Sequence, residues 1–85
     1  MSLTVSYSAA AKKDIHHLGR QIAVRVLEAI ERYAETGYGD VRRLKGTNQE
    51  FRLRVGDVRV RFTIDYKAGI MQVIRVLPRD KAYRD

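Results

Sequence analysis

Between Glu50 and Phe62 the chain reads EFRLRVGDVRVRF, a pattern that few folds admit. Apolar and basic residues alternate on both sides of Gly56-Asp57, which is the period of a strand with one buried face. A Gly-Asp pair between two such runs predicts a two-residue hairpin turn. That turn sets the register: Val55 faces Val58, Arg54 faces Arg59, Leu53 faces Val60, Arg52 faces Arg61 and Phe51 faces Phe62. Alternation then puts Phe51, Leu53, Val55, Val58, Val60 and Phe62 on the core side, and Arg52, Arg54, Arg59 and Arg61 together on the other. Two arginine pairs stand directly cross-strand, at a cost of about 0.2–1 kcal/mol per pair. Stability alone does not select such a face.

The rest of the chain must supply something for the apolar side to pack on. At 85 residues it forms one domain, residues 1–85, burying about 60–65% of its unfolded surface, which limits it to two layers. Residues 3–7, LTVSY, read as a short strand, and Ser8 as the N-cap of a helix AAAKKDIHHL with Ala11, Ile15 and Leu18 inward. Gly19 breaks that pattern. A second helix over 20–36 carries two adjacent apolar rows, Ile22, Val26, Ala29, Tyr33 and Ala23, Leu27, Ile30, Ala34, and Gly37 stops it. Residues 37–49, GYGDVRRLKGTNQ, read as a basic loop. After the second hairpin strand, over 58–65, the YKAG turn leads into IMQVIRVL, apolar enough for a central strand, and Pro78 ends it. The order β-α-α-β-β-β predicts an α+β fold, with both helices on one face of a mostly antiparallel sheet of about four strands.

Charge is unevenly placed. Residues 1–41 hold five Lys/Arg against five Asp/Glu, whereas residues 42–85 hold twelve against five, so the whole net +7 lies in the half containing the hairpin. Such a footprint suits a polyanion, and arginine in particular grips phosphate through two parallel hydrogen bonds. A face rich in cations and poor in aromatics favours the nucleic-acid backbone over the bases.

Other chemistry finds little support. Without cysteine there is no disulfide or thiolate metal site, which fits a reducing cytoplasm. The start lacks the signal-peptide pattern, and no apolar run approaches the roughly 18 residues of a membrane span. His16 and His17 are adjacent on a helix expected on the far side of the sheet and read as structural or solvated. Asp14, Glu28, Glu31, Glu35 and Asp40 read as ordinary helix-surface or loop charges, so no metal is expected. Ser6 and Ser8 have no histidine placed to activate them. Tyr7, Tyr33, Tyr38 and Tyr66 read as packing or loop anchors.

The hairpin, preceded by RRLKG and followed by VIRVLPRDKAYR, resembles the RelE/ParE toxin superfamily over nearly the whole chain. The shared pattern is a helical hairpin, a Leu-Lys-Gly-like segment (Leu44-Lys45-Gly46), a strand with alternating basic residues, a second strand with an arginine, and a terminal basic-x-x-x-Tyr element. The resemblance implies a RelE-like fold and a type II toxin that cuts mRNA in the ribosomal A site. Residue by residue it implies catalytic roles for Arg52 and Arg54, for Arg59 on the next strand, and for Arg79 and Tyr83 near the end. Arg61, Lys45, Lys81 and Arg75 would be further RNA contacts. Several relatives carry a histidine just before the position of Arg79, where this chain has Pro78, so no group with an ordinary pKa near 7 is expected on the working face.

The resemblance also implies a cognate antitoxin, the ribosome and mRNA as partners, operator DNA only through the antitoxin complex, and no small-molecule cofactor. No helix-turn-helix recognition helix is visible in this chain. A ParE-like toxin that poisons DNA gyrase by binding shares the fold and is the alternative. A plain nucleic-acid-binding module is a third.

Overall fold

The computed structural model describes residues 2–44 and 49–79, and within them the elements are β1 (Thr4–Tyr7), α1 (Ala9–His16), α2 (Arg20–Thr36), β2 (Asp40–Arg43), β3 (Phe51–Val55), β4 (Val58–Asp65) and β5 (Ile70–Pro78). The strands form one sheet in the order β1-β5-β4-β3-β2. β1 runs parallel to β5 and the other pairs are antiparallel. This is the expected α+β fold with five strands instead of about four. The additional strand, β2, lies inside the stretch read as loop. Its four residues leave no alternation to read, because Val41 alone presents an apolar side chain, opposite Leu53.

The β3–β4 register is the one the turn predicts, from Val55↔Val58 out to Phe51↔Phe62. Gly56 carries φ 58°, and a positive φ at the first loop position is the reason glycine stands there. On the inner face Leu53, Val60, Phe62, Met71, Val73 and Val76 are buried against Val26, Ile30 and Ala34 of α2. Phe62 is the hub, with its ring 5.4 Å from Tyr33 and 5.5 Å from Phe51. α2 ends as predicted on Gly37, in the left-handed region, whose N–H donates to the Tyr33 carbonyl.

β5 holds the irregularity that matters for the outer face. Phe62 pairs with Val73 but Arg61 pairs with Arg75, leaving Ile74 as an extra residue on β5. Such a bulge shifts the side-chain alternation by one, so Met71, Val73 and Val76 all point inward while Arg75 turns to the arginine side. α1 satisfies the disturbed backbone. The Ser8 hydroxyl accepts from the Ala11 N–H, as an N-cap should, and donates to the Ile74 carbonyl at 2.7 Å. Beyond the end of β1, Asp14 accepts from the Val76 N–H at 2.9 Å and from Arg75 Nε and Nη2 at 2.7 and 3.0 Å.

Asp14 is therefore not the ordinary helix-surface charge expected from its position. Its burial opposes ionisation, but the hydrogen bonds from Arg75 and Val76 and the charges of Arg75 and His17 outweigh that, holding its carboxyl below the usual aspartate value. A carboxyl with a lowered folded-state pKa contributes stability above its unfolded value and loses it as the pH falls through the folded one. Replacing Asp14 by asparagine is expected to cost about 1–2 kcal/mol at neutral pH, discounted because Arg75 is partly solvated. Thermal unfolding should show that gap closing as the pH falls below about 4; a gap independent of pH would mean the carboxylate's charge contributes nothing.

Candidate functional site

On the face of the sheet away from α2, strand pairing stacks the arginines into rows. Arg42 pairs with Arg52, Arg52 with Arg61, and Arg61 with Arg75, a ladder of four arginines across four strands. The next row runs Asp40, Arg54, Arg59, Leu77. The hairpin alone predicts the two inner pairs. β2 and the β5 bulge add Arg42 and Arg75 at the ends.

The ladder is not uniformly cationic. Glu50 accepts from Arg61 Nε at 2.6 Å and from Nη2 at 3.3 Å, and Asp14 holds Arg75 at the far end. Each of these arginines, expected as an RNA contact, thus already carries a carboxylate partner. Toward the hairpin tip, Asp40, Arg42, Arg52, Arg54, Arg59 and Arg79 line a depression of about 240 Å³. Arg79 is brought there by its backbone, whose N–H donates to the Asp57 carbonyl in the hairpin turn at 2.8 Å.

Cross-strand partners within the depression differ in what they can do. Arg54 is exposed. Arg59 is only 4% exposed and its Nη1 donates to the carbonyls of Gly56 and Val58 at 2.8 and 3.2 Å. Its guanidinium braces the turn from which Arg79 is hung, so it shapes the depression as well as charging it. Of the residues expected to act, Arg52, Arg54, Arg59 and Arg79 come together here. Tyr83, Lys81 and Lys45 lie outside the described residues.

The depression can hold a phosphate and neutralise charge that grows on its oxygens. Guanidinium groups do not take up protons at neutral pH, so proton transfer needs another group. His16 and His17 close α1 and are absent from its lining. Tyr7 belongs to packing: burial, and then the charge of Glu31, push its hydroxyl up to about 12. Burial and Tyr66 likewise raise Tyr33. Sequence reading missed Arg42 and Asp40 as lining residues, because both stand on the strand taken for a loop; the signal was the Asp40, Arg42 alternation, too short to be read alone. No group of three or more metal-ligating side chains assembles among the described residues, and none of their helices is long and apolar enough to cross a membrane.

The model of a protein family described as ParE toxin of type II toxin-antitoxin system, parDE, matches residues 5–83. The fold is similar to a chain of the archaeal RelE-RelB complex from Pyrococcus horikoshii, with TM-score 0.78 and 25% identity, covering 93% of this chain and 97% of that one. It is also similar to a chain of the RelBE2 toxin-antitoxin complex from Mycobacterium tuberculosis, with TM-score 0.82, 23% identity and 93% of both chains covered. A chain of the E. coli RelBE complex gives TM-score 0.74 at 14% identity, over 88% of this chain and 94% of that one. No curated protein matches the chain.

Proposed function

The chain belongs to the ParE toxin family of type II toxin-antitoxin systems, within the RelE/ParE superfamily, and from that premise we propose that it is a ribosome-dependent endoribonuclease that cuts mRNA in the A site. The observation that carries the reading is the arginine-lined depression. Five guanidinium groups around one hollow suit the phosphates of a nucleic acid, which arginine grips through paired hydrogen bonds. The reaction is attack of an RNA 2′-OH on the adjacent phosphate. Arg52 and Arg54 neutralise the phosphoryl oxygens, Arg59 braces the turn beside them, and Arg79 stabilises the departing 5′-oxygen. The superfamily resemblance gives Tyr83 the task of assisting deprotonation.

Mapping cut sites on translated messages by primer extension after brief induction tests this. Cuts within codons, lost in Arg79→Ala, are the expected result. Intact messages with arrested DNA replication would instead establish the gyrase-poison reading, which the family's description as ParE favours.

A cytoplasmic site of action follows from the same proposal, as does a cognate antitoxin encoded beside the toxin. Neighbours of this fold were solved as RelE-RelB complexes, and an antitoxin that covers the arginine face and carries the contacts to operator DNA would mask the charge until release. Binding of the free chain to single-stranded RNA should weaken with salt. With four or five phosphates neutralised, log affinity falls against log salt with a slope of about −3 to −3.5. A flat response would remove every nucleic-acid reading, including that of a plain binding module.

A further inference from the structure

Transfer of the nucleophile's proton requires an acceptor that arginine does not provide. Asp40 is the sole carboxylate among the described residues lining the depression. It opens β2 on the same side as Arg42 and pairs across to Arg54. Among the described residues, two further carboxylates beside the arginines are engaged: Glu50 with Arg61, Asp14 with Arg75. Asp40 makes no such ion pair among the described residues.

Its position is also fixed from behind. A Cβ on the preceding Gly39 would stand 3.0 Å from Leu53 Cδ1 and 3.5 Å from Tyr33 Cδ1, so the backbone entering β2 lies directly on the core. A strand seated this closely fixes the backbone from which the Asp40 side chain extends into the depression.

We propose that Asp40, in place of the Tyr83 to which the superfamily resemblance points, is the proton acceptor for the attacking 2′-hydroxyl, an assignment that rests on the ribonuclease reading of the same depression. The O2′–P bond forms as the 2′ proton moves to the Asp40 carboxylate, and the P–O5′ bond breaks. The departing 5′-oxygen takes a proton from water while Arg79 holds its charge, and Asp40 returns its proton to solvent. The products are a 2′,3′-cyclic phosphate and a 5′-hydroxyl.

Electrostatics alone predicts the opposite consequence for this residue. A negative charge among phosphate-binding arginines repels RNA, so its removal should tighten binding and, if it had no other role, speed cleavage. The groups around Asp40 are Arg42 on its own strand, Arg52 and Arg54 on β3, Arg59 on β4 and Arg79 after β5, with Arg32 of α2 and Tyr38 on the adjoining groove. All the charged members of this set are cations, so none competes with Asp40 for the proton.

Single-turnover cleavage of ribosome-bound message by the full chain separates the two. Asp40→Asn is expected to cut about 100-fold more slowly while binding a single-stranded RNA oligonucleotide as tightly as the native chain or more so. Asp40→Glu should recover part of the rate. The rate of Asp40→Asn should rise tenfold per pH unit as hydroxide becomes the base, more steeply than that of the native chain. Native-like cleavage by Asp40→Asn, or a slower rate with a level profile, would overturn the assignment while leaving the ribonuclease reading in place. A native chain that cuts no message removes both, before any variant is compared.

Discussion

If the depression cleaves RNA as proposed, replacing Arg54 by alanine should lower message cleavage by about 10²–10³-fold, the cost of removing one preorganised donor from a developing phosphoryl charge, and leave the melting temperature within a few degrees. The two halves of that result have separate causes. Arg54 is exposed at the lip of the depression, and substitutions of exposed residues generally stay within about 0.5 kcal/mol. Its loss also removes a like charge standing opposite Arg59 in the strand register. Arg54→Lys should recover only part of the rate, since an ammonium keeps the charge but not the two-pronged geometry. Arg59→Ala should behave differently: its guanidinium is buried on the Gly56 and Val58 carbonyls, and leaving those acceptors unmatched costs about 1–3 kcal/mol. Cleavage kinetics together with thermal melts of both variants check the contrast. Equal loss of stability in the two would mean that the arginines are interchangeable parts of one charged surface.

The contrast also marks where sequence reading stops. EFRLRVGDVRVRF specified its own register, its buried face and its turn because each is a consequence of period-two alternation around two residues. Ser8 as a cap and Gly37 as a stop were equally local. Alternation gives the side on which an arginine lies, but not how deep, so Arg54 and Arg59 looked alike. β2 escaped because one apolar residue makes no pattern, and with it went Asp40 and Arg42. The Asp14 to Arg75 pair joins residues 61 positions apart through a bulge, and neither the bulge nor the parallel placement of β1 leaves a local signature in IMQVIRVL or LTVSY.

The largest expected loss of stability follows from the opposite face of the same strands. Phe62 is fully buried between Tyr33 and Phe51 and neighbours Arg61, which points out to the ladder. Removing the ring by Phe62→Ala should cost about 3–5 kcal/mol, the lost transfer energy plus the cavity left behind. A chain of this length has roughly 4–13 kcal/mol in total, so the variant sits near the threshold of folding, with its melting temperature lowered by about 12–40 °C. Phe51→Ala, whose ring is only partly buried at the end of β3, should cost less. Chemical denaturation measures both, and a Phe62→Ala cost below about 1 kcal/mol would show that the core refills around the vacancy. The functional corollary is that loss of toxicity alone does not identify a site residue in this fold. Core and arginine face share the same strands one residue apart, so Phe62→Ala and Arg54→Ala should both silence the toxin in cells. Only Arg54→Ala should do so while the sheet behind it stays folded.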